Sequence, residues 1–61
     1  MKVFVFGAYT YKKYGENLIE VKIIAENRKT ANEMMRDIME NSNCINADEG
    51  FFLNDEYDYN D

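Results

Sequence analysis

Histidine is absent from this 61-residue chain, and cysteine occurs only once, at Cys44. Without histidine, the chain lacks the side chain that most often serves as a general base near neutral pH. The lone thiol has neither a histidine nor a nearby basic residue in sequence to activate it, so we expect Cys44 to be a small buried hydrophobic residue. Glycine-rich phosphate-binding motifs are also missing. These absences predict a protein that is not an enzyme and binds no cofactor.

The scarcity of histidine and cysteine also disfavours metal sites and disulfides. A single cysteine forms no internal disulfide, and the chain has no Cys/His cluster suited to zinc. The oxygen-rich C-terminal residues lack the ligand spacing of a calcium-binding loop. No signal peptide is visible, and the apolar run at residues 3–6 is too short to span a membrane. We therefore expect a soluble cytoplasmic protein with no metal and no membrane partner.

Basic residues are missing from the C-terminal part of the chain, although the net charge is only −5. All seven lysines and arginines lie within residues 1–36, where they outnumber four acids. From Asp37 onward there are eight acids and no base. This separation predicts a charge dipole, with one negative side for a partner to meet.

Residues 2–26 have the pattern of a β-hairpin. Residues 2–11 are rich in Val, Phe and Tyr and are apolar on both faces, which is typical of a central strand or of one covered on both sides. Residues 12–15 form a predicted turn, with Gly15 available for a positive φ. Residues 17–26 alternate between apolar and polar and predict the second strand.

A helix is predicted over residues 27–41, with Asn27 as its N-cap. Its apolar stripe follows helical spacing and comprises Ala31, Met34, Met35, Ile38 and Met39. Residues 51–53 predict a short third strand, and residues 54–61 an acidic, tyrosine-containing tail. The fold class is therefore a small α+β domain over residues 1–53, a β-β-α(-β) arrangement in which one helix packs on an antiparallel hairpin, with a short third strand or an extended acidic arm.

The acidic C-terminal third contains the best candidates for function, because aromatic residues are interleaved with its acids. In an extended tail, Glu56 and Asp58 lie on one side about 6.6–6.8 Å apart, with tyrosines opposite. Such a row of carboxylates is a plausible substitute for a row of phosphates. The predicted partner-binding residues are Asp37, Glu40, Asp48, Glu49, Asp55, Glu56, Tyr57, Asp58 and Tyr59.

In size, charge and β-β-α composition, the chain resembles the small phage-encoded inhibitors of the anti-CRISPR and DNA-mimic type. The resemblance is to the class and transfers no site residue. It implies a protein inhibitor in the cytoplasm of a bacterial host, whose acidic surface occupies the basic groove of a nucleic-acid-binding protein, with a CRISPR effector as the specific expectation.

Two alternatives remain open at this stage. The first is a homodimeric interaction protein without mimicry, joined through the strand at residues 2–11, whose second apolar face needs a cover. The second is a weak nucleic-acid binder, because aromatic residues interleaved with lysines stack on bases and contact phosphates. It would use Tyr9, Tyr11, Lys12, Lys13 and Tyr14. The negative net charge disfavours direct binding to a polyanion.

Overall fold

Three antiparallel strands and one helix form the fold in a computed structural model that describes residues 1–15 and 17–60. The elements are β1 (Lys2–Tyr9), β2 (Leu18–Ala25), α1 (Arg28–Asn41) and β3 (Phe51–Asp58). The strand order is β2-β1-β3, with β1 antiparallel to both neighbours. This arrangement confirms the predicted small α+β fold.

The first strand is central, as its two apolar faces predict. Its even-numbered residues Phe4, Phe6 and Ala8 belong to the core cluster that packs beneath the helix. Val3 and Val5 point to the opposite face of the sheet and are also buried. Side chains of β2 and β3 flank these valines on the face that no helix covers: Ile24 and Tyr57 lie beside Val3, and Lys22 and Asp55 lie beside Val5.

The hairpin between β1 and β2 closes over a short 3-10 turn at Lys12–Tyr14. Gly15 adopts φ = 100°, the positive value predicted for it, and its N–H donates to the carbonyl of Lys12. The strand ends at Tyr9 and not at Tyr11, because the chain then pairs with a different segment. The N–H of Tyr11 donates to the carbonyl of Cys44 at 2.9 Å.

The helix begins after Asn27, whose side-chain oxygen accepts a hydrogen bond from the Thr30 N–H at 2.9 Å. Its buried residues are Ala31, Met35 and Met39, which form a single line spaced by four residues. The predicted stripe was too wide: Met34 is 40% exposed and Ile38 is 37% exposed. The reason is that α1 packs mainly on β2 and β1, so only a narrow strip of its surface contacts the sheet.

The third strand is longer than predicted and includes most of the segment assigned to the tail. Residues 54–58 belong to β3, which pairs with β1 from Ala8↔Phe51 to Lys2↔Asp58. The pairing is interrupted once, between Val5 and Phe6, where Asn54 is the extra residue of a bulge. The free edge of β1 thus orders acidic residues whose composition favours an irregular arm. Asp61, the last residue of the predicted tail, lies outside the described residues.

The core lies between the sheet and α1. It consists of Phe4, Phe6, Ala8, Ile23, Ala25, Ala31, Met35, Met39 and Ile45. Ile45 is held there by a bridge to Thr10 and by hydrogen bonds from the Cys44 and Ile45 N–H groups to the Ser42 hydroxyl. The prediction that Cys44 is buried was wrong, because the side chain of Ile45 turns inward and that of Cys44 is exposed. Within residues 1–15 and 17–60, no helix is long and apolar enough to cross a membrane.

Candidate interaction surfaces

The acids of β3 are divided between the two faces of the sheet. Asp55 pairs with Val5 and Tyr57 with Val3, so both lie on the face that α1 does not cover, which we call the open face. Glu56 pairs with Phe4 and therefore lies on the helix face. The alternation separates Glu56 from Tyr57 as predicted, but it also separates Glu56 from Asp55.

Glu56 connects three elements of the fold. One of its carboxylate oxygens accepts a hydrogen bond from Arg28 Nε at 2.6 Å, and the other accepts one from Lys2 Nζ at 3.3 Å. The side chain is 23% exposed. The hydrogen bond from Arg28, reinforced by that from Lys2, holds the pKa of the Glu56 carboxyl below its ordinary value, although partial burial opposes this effect. Among the described residues these are the only ion pairs, so Glu56 is the one predicted site acid that is neutralised in this way.

A second group of predicted acids lies near the C-terminal end of α1. Glu40 lines a small pocket of about 170 Å³ together with Arg36 and Ala47, the first residue of the 3-10 turn that carries Asp48 and Glu49. The side chain of Asn46 accepts a hydrogen bond from the Asp48 N–H at 3.1 Å, which fixes the turn. Asp37 is exposed and lies about 200° around the helix from buried Met35, so it faces away from the sheet.

Basic and acidic parts of the sequence meet at both ends of the sheet. Antiparallel pairing of β1 with β3 places Lys2 opposite Asp58 and within hydrogen-bonding distance of Glu56. At the other end, the Asn46 N–H donates to the Tyr9 carbonyl at 2.7 Å, which brings the acidic Ala47–Glu49 turn to the end of the sheet that carries the lysine-containing hairpin turn. Chain reversal therefore brings basic residues of the first half close to acids of the second half at both ends of the sheet, while Asp55 and Asp58 stay on the β3 edge.

The open face contains exposed apolar side chains at its corners. Leu18 is 55% exposed and Ile24 is 42% exposed on β2, while Phe52 and Tyr57 are exposed on β3. A shallow groove of about 390 Å³ lies between them, with Val5 at its base. Its walls are Glu20 and Lys22 from β2 and Asn54, Asp55 and Tyr57 from β3. Leu18 and Ile24 were not among the predicted site residues. The signal for them in the sequence is their position on one face of β2, on either side of two opposite charges.

The tyrosines and lysines of the hairpin do not form a continuous row. Tyr9 packs beside Phe52 on the open face, with ring centroids 6.4 Å apart. At the turn, Lys13 Nζ lies 5.1 Å from the centroid of the Tyr14 ring, in a cation–π contact. Tyr11 and Tyr14 are exposed, and Lys12 is exposed beside them. Three of the five residues proposed for nucleic-acid contact, Tyr9, Lys13 and Tyr14, are thus already engaged with neighbours.

Potential metal ligands are dispersed. Within the part of the chain that the structure describes, no group of three or more Cys, Asp or Glu side chains is placed to hold a metal ion. Comparison with protein-family models, with curated proteins and with solved structures gave no match.

Proposed function

We propose that this protein is a non-catalytic inhibitor that binds a nucleic-acid-binding protein through acidic residues of β3 and of the Ala47–Glu49 turn. The observation that supports the proposal most directly is the position of Asp55 and Asp58 on an ordered edge strand, with Asp55 on the open face and Asp58 on the helix face, so that a partner would meet both along the β3 edge. Carboxylates on a strand keep a fixed spacing, so a partner binds them without ordering a flexible tail, which would cost conformational entropy. Exposed Tyr57 and Tyr59 lie beside them and provide the type of aromatic anchor found at interfaces.

The contributing acids differ in what they offer a partner. Asp48, Glu49, Asp55 and Asp58 are exposed. They remain available to lysines and arginines of a basic groove, where long-range attraction speeds the encounter. Glu56 is held by Lys2 and Arg28, so in this proposal it orients the strand and does not contact the partner. Glu40 contributes beside the turn, and Asp37 lies at the periphery.

The proposed partner class is a protein with a groove lined by lysine and arginine that normally holds DNA or RNA. CRISPR effectors are the members of that class to test first, on the overall likeness of the chain to small phage-encoded inhibitors. In this scheme the protein competes with nucleic acid for the groove. Its affinity falls as salt rises, because added ions screen the attraction between the two charged surfaces.

The test compares two variants that change the net charge equally. D55N/D58N removes two acids from β3, whereas E26Q/E33Q removes two exposed acids at the end of β2 and on α1. Binding is measured by surface plasmon resonance against a panel of nucleic-acid-binding proteins that includes CRISPR effectors, at two salt concentrations. Inhibition is measured by cleavage of target DNA.

We expect D55N/D58N to weaken binding to the responsive partner about tenfold or more, from the loss of two charge-assisted contacts. E26Q/E33Q should bind within about twofold of the unmodified protein, since exposed charges remote from an interface contribute little. Equal effects of the two variants would contradict a specific acidic site. Retention of a DNA or RNA probe by the protein itself at low salt would favour direct nucleic-acid binding instead.

A further inference from the structure

The outer edge of β2 is an unpaired strand edge with a regular pattern. The Thr10 N–H donates to the Asn17 carbonyl at 3.0 Å, and the Asn17 N–H donates to the Thr10 hydroxyl at 2.9 Å, so Thr10 and Asn17 occupy the position of a hydrogen-bonded pair just beyond the ladder. Such pairs alternate along a ladder. The odd-numbered residues of β2 therefore direct their backbone groups toward β1. The even-numbered residues direct theirs outward, and these are Leu18, Glu20, Lys22 and Ile24.

The order of these four residues makes the edge complementary to itself. When an antiparallel copy of β2 is placed so that Val21 faces Val21 of the copy, Glu20 lies opposite Lys22 of the copy, and the reciprocal pair forms as well. In the same register Leu18 lies opposite Ile24 of the copy. Both exposed apolar residues thus gain a partner, and opposite charges are juxtaposed twice.

Neighbouring registers are unfavourable. A shift of two residues in either direction places Glu20 opposite itself or Lys22 opposite itself, and like charges directly opposite each other destabilise a sheet. A shift of one residue places outward-directed backbone groups opposite inward-directed ones, so the ladder hydrogen bonds are lost. The charges therefore select one register among those that the strand allows.

The flank of α1 extends the same surface. On one side of the buried line of α1, Arg36 and Glu40 lie beside Phe51 of β3. Met34 and Ile38 are on the other side, toward β2, and both are partly exposed. A two-fold axis perpendicular to the sheet places both helices on the same face, so Met34 and Ile38 of the two copies face each other.

The opposite edge of the sheet is protected. The strand β3 has a bulge at Asn54 and carries Asp55, Glu56 and Asp58, so pairing of two β3 edges would bring like charges together. We propose that this protein forms a two-fold symmetric dimer through its β2 edges, which joins the two sheets into a continuous six-stranded sheet. This inference is independent of the proposed acidic site, because it uses β2 and α1.

The test is a charge exchange at the two central residues. K22E places Glu20 opposite a glutamate of the second copy, and E20K places Lys22 opposite a lysine, so each single variant replaces two attractions with two repulsions. The double variant E20K/K22E restores opposite charges in reversed order. Sedimentation velocity from low to several hundred micromolar protein gives the dimerisation constant of each, and K13E is a matched control on the exposed hairpin turn.

We expect the unmodified protein, K13E and E20K/K22E to dimerise alike. K22E and E20K should each dimerise about tenfold more weakly, given typical energies of cross-strand charge pairs. An equimolar mixture of K22E and E20K should form a heterodimer, because every charge then meets its opposite. Circular dichroism of dilute samples checks that each variant is folded.

Three results would overturn the inference. One is an unmodified protein that stays monomeric over the whole concentration range. Another is a dimer that neither single variant weakens. The third is a pair of weakened single variants whose equimolar mixture fails to associate, because the proposed register makes every charge of that mixture meet its opposite.

Discussion

The ring of Phe52 lies directly over the backbone of Gly7, its cross-strand neighbour in β1. A Cβ atom at Gly7 would be 2.4 Å from Phe52 Cζ, too close for any side chain to fit beneath the ring. The absence of a side chain at Gly7 thus allows an aromatic residue of β3 to cover the central strand and to pack beside Tyr9 of the same strand.

Gly7→Ala should therefore be destabilising only while Phe52 is present. In the unmodified background we expect the free energy of unfolding to fall by about 1 kcal/mol, because the ring must swing into solvent. In the Phe52→Ala background the same substitution should be neutral or stabilise by up to about 1 kcal/mol, since alanine restricts the unfolded chain. Urea unfolding of the four proteins gives the coupling energy, and additive effects would contradict the contact.

The ion pairs of Glu56 should make the folding stability of the protein depend on pH. The pKa of Glu56 is lowered in the folded state. The contribution of its ionised carboxylate to the stability of the fold is therefore fully present above the ordinary glutamate pKa of about 4.3, and it is lost as the pH falls through the lowered value. The melting temperature of the unmodified protein should thus exceed that of Glu56→Gln at neutral pH. The difference should disappear in acid. Asp48→Asn is the control, and a constant difference across the pH range would contradict the linkage.

Adjacent methionines on α1 should differ sharply in their importance. Met35 is fully buried in the core, so Met35→Ala should cost about 2–5 kcal/mol through lost contacts and an unfilled cavity. For a domain of this size such a loss approaches the whole stability. Met34→Ala should cost less than about 1 kcal/mol in dilute solution, because that side chain is partly exposed. Thermal melts by circular dichroism distinguish the two, and equal losses would mean that the helix is rotated from its position here.

The N-cap of α1 should contribute measurably to stability. Asn27→Ala removes the acceptor of the Thr30 N–H and should cost about 1 kcal/mol. Asn27→Asp and Asn27→Ser supply another acceptor and should retain most of the stability. Asn32→Ala, at an exposed position within the helix, is the matched control and should be neutral or slightly stabilising.

The sequence was informative wherever local chemistry decides the structure. The alternation of β2, the cap at Asn27, the positive φ of Gly15 and the two-faced pattern of β1 each have a local cause, and all four were predicted. The extent of β3 was not, because Asp55 and Asp58 disfavour a strand by themselves. Only pairing with a free edge of β1, distant in sequence, orders them.

The candidate site shows the same division between local and distant causes. The acids were identified from composition, but the neutralisation of Glu56 depends on Lys2 and Arg28, which join it only through tertiary structure. The self-complementary edge of β2 was also visible as a pattern. It acquired meaning only when the strand order showed that β2 lies at an edge and that β1 does not.

The strand order also affects how the protein folds as it is synthesised. Central β1 leaves the ribosome before either of its neighbours, and β3 leaves after β2 and α1. During that interval the apolar segment at residues 3–6 has an open edge, which is the kind of segment that aggregates when left unpaired. We expect the acids of β3 to keep the late strand hydrated until it reaches β1, because charged residues on an edge strand disfavour aggregation. This effect of the charge on synthesis would not depend on any partner.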